Sequence, residues 1–202
     1  MIQHIETTVL SRIYGHGRGW AFSPKDLQDL GRVDMALKRL ADRGAIRRVI
    51  RGIYDYPQFS ELLNQQLAPD IHQIAQALAR KFSWRIHPDG MAAMNLIGLT
   101  TQVQSQFVFQ SDGPNREYKV GKYRILFKKT ALKEISFKNA ESAIIVQALK
   151  AIGEDRIEGK TIKKIRQWLP KIKRPKVLKD TERVTAWIYQ VIKLICTDSN
   201  RG

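Results

Sequence analysis

The chain has 202 residues, 43% of them apolar, enough for one large or two small packed domains, and this excludes a disordered polypeptide. Thirty-five Lys and Arg against 19 Asp and Glu leave a formal charge of +16, which points to a polyanionic partner and puts nucleic acid first. A single cysteine, Cys196, excludes an internal disulfide. With only four scattered histidines beside it, no zinc site, metal or other cofactor is expected, and a reducing cytoplasmic location fits.

The first twenty residues lack a basic start followed by an apolar run and a small-residue cleavage site. No apolar window reaches the ~20 residues of a membrane span, so a soluble chain with no membrane role is expected. Ile2, Ile5, Val9, Leu10 and Ile13 recur at three- and four-residue steps and predict an amphipathic helix, stopped by the glycine cluster at 15–19. Ser23 as N-cap, Pro24 at the first helical position and Asp26 in the first turn predict a second helix, broken by Gly31. A third opens at once, with Val33, Ala36, Leu37 and Leu40 inward, and ends at Gly44. Two short helices joined by a tight glycine turn make a helix-turn-helix. Residues 45–51 then form a β-branched basic strand, Gly52 permits a turn, and residues 53–56 form a second strand closed by Pro57. The parts predict a winged helix-turn-helix over 1–60, with the second helix of the pair in the major groove and the hairpin on the phosphate backbone.

Charge follows this pattern. Residues 32–51 carry a net +5, 116–138 a net +6 and 156–183 a net +8, around a nearly neutral middle. Arg32, Met35, Lys38 and Arg39 are the candidate readers of base edges; Arg47, Arg48 and Arg51 are the candidate phosphate contacts, and Arg43 completes the DNA-binding set. Double-stranded DNA, the protein's own operator, is the expected partner. A homodimer would then require inverted half-sites about one helical turn apart.

Residues 61–69 read as a linker, and 70–202 as a mixed α+β domain. Asp70 caps a helix with Ile71, Ile74, Ala75, Leu78 and Phe82 inward; residues 84–87 form a short strand closed by Pro88, followed by a small-residue helix over 89–96. Alternation at Phe107 and Phe109, at Tyr118 and Val120, and at Tyr123, Ile125 and Phe127 predicts three strands of a small antiparallel sheet. C-terminal helices are predicted over 140–152, 161–169 and 180–195, with Pro170 and Pro175 breaking the chain between the last two.

Nothing in the chain reads as catalytic. His72 and His87 lack ligand-spaced partners, and Gly159-Lys160-Thr161 follows a helix and lacks the glycine spacing of a phosphate loop. Cys196 has no visible activating base and reads as a small core residue.

Three runs carry a likeness to a known family: 17–26 (GRGWAFSPKD), 34–40 (DMALKRL) and 46–57 (IRRVIRGIYDYP). They resemble bacterial AbiEi-type antitoxins, the transcriptional-regulator half of type IV toxin-antitoxin systems. Residues 77–81 (ALARK), 95–103 (NLIGLTTQV) and 111–114 (SDGP) are also similar, so the likeness covers most of 15–150. It implies an N-terminal winged helix that represses its own operon. It also implies a C-terminal domain that antagonises a nucleotidyltransferase toxin and aids cooperative operator binding. The basic segment 156–183 departs most from that pattern, and no toxin-antagonising residue is carried onto it.

Two other readings stay open. The basic surface could serve an acidic protein partner without sequence-specific DNA binding. Alternatively, Phe107, Phe109, Tyr118, Tyr123 and Phe127 could stack on unpaired RNA bases between lysines.

Overall fold

A computed structural model of the chain describes residues 2–102, 104–131 and 137–197, with side chains from residue 5 onward. The side chain of Ile2, Val103 of the 95–103 run, and positions 132–136 of the basic 116–138 segment lie outside what it describes. The fold is mixed α+β and divides into two compact units: residues 1–84 with 119–125, and residues 85–118 with 126–202.

In the first unit, α1 (Ile2–His16) buries Val9 and Ile13, with Ile5 and Leu10 packed beside them. Among its described side chains the buried polar residue is Glu6. β1 (Ala21–Phe22) leads into a 3-10 helix over Pro24–Leu30, where an α-helix was expected. Its start is as predicted: Asp26 Oδ2 accepts from the Ser23 amide at 2.8 Å and from Ser23 Oγ at 3.1 Å. With Gly31 closing it after seven residues, the segment takes the tighter i to i+3 winding that short helices adopt. α2 (Asp34–Asp42) turns Ala36, Leu37 and Leu40 inward behind a buried Val33.

β2 (Arg47–Ile50) and β3 (Ile53–Asp55) pair antiparallel, with Arg47 opposite Asp55, Arg48 opposite Tyr54, and an irregularity between Arg48 and Ile50. The turn between them needs Gly52, whose φ of +72° is left-handed. β3 is central, giving the sheet order β1-β3-β2. Fully buried Phe22, Leu27, Leu37, Leu40 and Ile46 join Val9 and Ile13 in one core, each large side chain contributing about 1.5–3 kcal/mol by leaving water.

Two expectations change here. The proposed linker over 61–69 lies largely within a small antiparallel hairpin of β4 (Phe59–Ser60) and β5 (Gln65–Gln66). The boundary falls after residue 84, not before 70, because α3 (Ile71–Phe82) is bolted to the first unit. Arg80 bridges Asp26 Oδ1 at 2.6 Å and the Ala21 carbonyl at 2.7 Å, and Lys25 Nζ reaches Ser83 Oγ at 2.7 Å. The expected cap is present: Asp70 accepts from the His72 and Gln73 amides.

After residue 84, β6 (Ile86–Pro88) precedes α4 (Gly90–Ile97), β7 (Gln106–Ser111), β8 (Arg116–Val120) and β9 (Tyr123–Lys129), of which the turn segment 119–125 counts with the first unit and the rest with the second. The sheet has four strands in the order β6-β7-β9-β8, so β6 joins the three that alternation predicted. A side chain at Gly90 would collide with Ala151 of α5 (Ala140–Ile152), which is why α4 and α5 can lie so close.

α6 (Gly159–Trp168) matches its prediction, but the helix expected over 180–195 is replaced by α7 (Arg174–Asp180) and α8 (Ala186–Cys196). Pro175 does not break the chain. It sits in the first turn of α7, where no amide donor is needed. Asp180 accepts from the Lys138 amide at 3.0 Å and the Asn139 amide at 2.9 Å, which ties α7 to the start of α5. Cys196 lies in the apolar core of α4–α8, and burial pushes its thiol up. Among the described residues no helix is long and apolar enough to cross a membrane.

Candidate nucleic-acid interface

Of the predicted DNA-binding residues, Met35, Lys38 and Arg39 lie on α2, Arg32 and Arg43 flank it, and Arg47, Arg48 and Arg51 belong to β2 and the turn after it. Arg32, Met35, Lys38, Arg39, Arg43, Arg48 and Arg51 are exposed, and Met35 stands 61% open on α2. The inward stripe of Ala36, Leu37 and Leu40 forces this, because helical spacing leaves positions 34, 35, 38 and 39 outside. Lys38 and Asp42 of α2, Arg48 of β2 and Gln66 of β5 line an open groove of about 420 Å³.

Three of the seven cations have internal partners. Glu6 of α1 takes Arg39 Nη1 on Oε1 at 3.3 Å and the Arg43 guanidinium on Oε2. Burial alone would raise the Glu6 carboxyl, but the two guanidinium groups outweigh it and hold it below its ordinary value. Arg47 departs furthest from its expected phosphate role. It grips the buried Asp55 with both arms, Nε to Oδ1 at 3.0 Å and Nη2 to Oδ2 at 2.5 Å, and donates Nη1 to the Leu67 carbonyl at 3.0 Å. A buried carboxylate needs such a partner, so Arg47 braces the sheet and carries little net charge outward.

Arg32, Lys38, Arg48 and Arg51 have no ion pair among the described residues and form the open cationic set beside Met35. Sequence reasoning missed Glu6, Asp55 and Gln66. Glu6 was discoverable, standing four residues after Ile2 and three before Val9 on the inward stripe of α1. Asp55 at an inward strand position opposite an arginine gives a weaker signal, and Gln66 gives none.

The second unit carries its own basic surface. Lys163, Lys164, Lys171, Lys176 and Lys179 are exposed, whereas Lys160 pairs with Glu158 at 2.9 Å and Lys173 with Glu141 at 3.3 Å. Two of its arginines reach backbone: Arg166 donates to the Ile195 carbonyl at 3.2 Å, and the buried Arg174 donates to the Arg166 carbonyl at 3.4 Å. The aromatic strand residues do not form an open stacking platform, since Phe109 and Phe127 are 1% exposed and Tyr118 packs edge-on against Phe127. Among the described residues no group of three His, Cys, Asp or Glu side chains is placed to hold a metal ion.

A search of curated proteins finds no match to the chain. A family model does match, over residues 8–177, from within α1 to the middle of α7. The chain therefore belongs to DUF6088, a family of unknown function.

Proposed function

We propose that the chain is a cytoplasmic, non-enzymatic DNA-binding transcriptional regulator whose N-terminal residues form a winged helix. The carrying observation is the element order α1, β1, 3-10 helix, α2, β2, β3 with the sheet ordered β1-β3-β2, and an open cationic face on α2 and the hairpin. In this reading α2 enters the major groove. Lys38 and Arg32 offer donors to guanine edges and Met35 offers an apolar contact to a thymine methyl, while Arg48 and Arg51 hold phosphates. Arg39 and Arg43 add their charge only when they leave Glu6, and Arg47 keeps the hairpin in shape.

The likeness of residues 15–150 to AbiEi-type antitoxins supports the further reading that the protein represses its own operon and antagonises a nucleotidyltransferase toxin. The test is fluorescence anisotropy of the full chain on a duplex from its own upstream region, on a scrambled duplex and on a single strand, each over a salt series. Tighter binding to the native duplex that persists as salt rises is expected. Equal binding that salt abolishes would reduce the face to a non-specific basic surface and favour an acidic protein partner. The antitoxin half is tested separately, by co-purification with a nucleotidyltransferase encoded beside the gene.

A further inference from the structure

Most exposed large apolar side chains in the described residues stand singly along the chain; Phe59, Leu62 and Leu63 do not. They fall within five positions of the β4–β5 hairpin and are 45%, 93% and 58% exposed. The hairpin is a formed element. Ser60 pairs with Gln65, the Leu63 amide donates to Ser60 Oγ at 3.2 Å, and the Leu67 amide closes the base on the Gln58 carbonyl at 2.8 Å. Asn64 takes the left-handed turn position at φ 47°, and Arg47 anchors the base through the Leu67 carbonyl.

Charge narrows what can cover it. No Lys or Arg falls between Arg51 and Arg80, in a chain of net +16, and the hairpin turn carries Glu61. At the turn, phosphates would meet one carboxylate and no cation of the hairpin itself; of β4 and β5 only Gln66 shares the groove of Lys38 and Arg48, so the Phe59, Leu62 and Leu63 patch does not suit nucleic acid. An acidic protein would seek the lysines elsewhere. A second copy of this chain has the opposite requirement: two bodies of +16 repel least where they meet without facing cations, and this apolar hairpin carries no Lys or Arg of its own.

We infer that the β4–β5 hairpin is a self-association surface, on which Leu62 and Leu63 of one copy pack against Phe59, Leu62 and Leu63 of the second across a two-fold axis. The side-chain amides of Gln58 and Gln65 form its polar rim. One hairpin per copy keeps the buried area below about 1,200 Å², the class of weak, transient contacts, so dissociation in the micromolar range is expected. Two half-sites on one duplex would reinforce it through effective concentration. That last step rests on the DNA-binding reading; the contact itself does not.

Sedimentation equilibrium of the full chain without DNA, from low micromolar to several hundred micromolar and at low and high salt, tests it. A monomer–dimer equilibrium is expected that tightens as salt rises, because salt screens the mutual repulsion. Leu62→Glu should weaken it by about tenfold or more, while Leu62→Met retains it. Leu62 touches little of its own chain, so both variants should keep the wild-type melting temperature. A monomer at every concentration, a dimer indifferent to Leu62→Glu, or a dimer that loosens with salt would each overturn the proposal. With no DNA present, none of these outcomes depends on the anisotropy result.

Discussion

The two basic blocks at 32–51 and 156–183 look alike as strings of Lys and Arg, yet the fold uses them differently. In the first, Arg39, Arg43 and Arg47 lie against the buried carboxylates of Glu6 and Asp55, so their charge is largely cancelled where it stands. In the second, Arg166 and Arg174 donate to backbone carbonyls, and Lys160 and Lys173 pair with Glu158 and Glu141. Lys38 in one block and Lys163, Lys164, Lys171, Lys176 and Lys179 in the other stay exposed. A planar guanidinium satisfies fixed acceptors with several donors at once, whereas a flexible, strongly hydrated ammonium loses more by being fixed. Net charge per segment thus overstates what the first block offers a partner and describes the second more faithfully.

The sharpest way to break this comparison is Arg47→Ala. It leaves Asp55 buried without its cation and should cost about 3 kcal/mol in denaturant unfolding, the low end for a buried pair because Arg47 is partly exposed. Arg48→Ala, one residue on, should stay within about 0.5 kcal/mol of wild type. Equal stabilities would return Arg47 to the phosphate-contact set.

Acid unfolding probes the carboxylate side. Burial alone would raise Glu6, Asp112 and Asp180. Instead Arg43 and Arg39 lower Glu6, Arg85 lowers Asp112, and the amides of Lys138 and Asn139 lower Asp180. The unfolded chain binds these protons first, near pH 4, so stability present above about pH 5 is lost as pH falls through the depressed values. The melting temperature should drop steeply below about pH 4.5, and Glu6→Gln should flatten that limb. A variant with the wild-type acid slope would mean that Glu6 is not held by its arginines.

The same substitution sharpens the comparison on DNA. Freed from Glu6, Arg39 and Arg43 become available to phosphates, so Glu6→Gln should steepen the dependence of log affinity on log salt by about 1 to 2. Arg48→Ala with Arg51→Ala should flatten it by about 2, across all duplex sequences alike. An unchanged slope in the double variant would remove the hairpin from the interface. The smallest effect belongs to the second block: Lys163→Ala with Lys164→Ala should shift unfolding by less than about 0.5 kcal/mol, since both side chains are exposed and neither has an ion pair among the described residues.

Legibility followed the range of the interactions involved. The caps at Ser23–Asp26 and Asp70, the left-handed turn at Gly52, the inward stripes of α1 and α2, the stripe of α3 except Phe82, which stands exposed at the helix end, and the strand alternation over 107–127 were readable, because each depends on residues within a few positions. The hairpin at 59–66 was missed because its strands are two residues long and its sequence has no strong turn dipeptide. The split between α7 and α8 was missed because a proline was read as a breaker where it starts a helix. The exposed face of α2 was legible, but not which of its cations are open.

Residue order alone set the basic balance, the helices and basic hairpin within residues 1–57 and the absence of an internal disulfide, since composition and short-range periodicity act before any tertiary contact forms. Tertiary contacts alone place α3 with the first unit, let Glu6 and Asp55 occupy three of the seven expected arginines and lysines, and leave Leu62 and Leu63 open. Those outcomes depend on groups up to 59 residues apart, as Arg80 and Ala21 are. Burial then makes each carboxylate claim a cation, and no local pattern specifies which one.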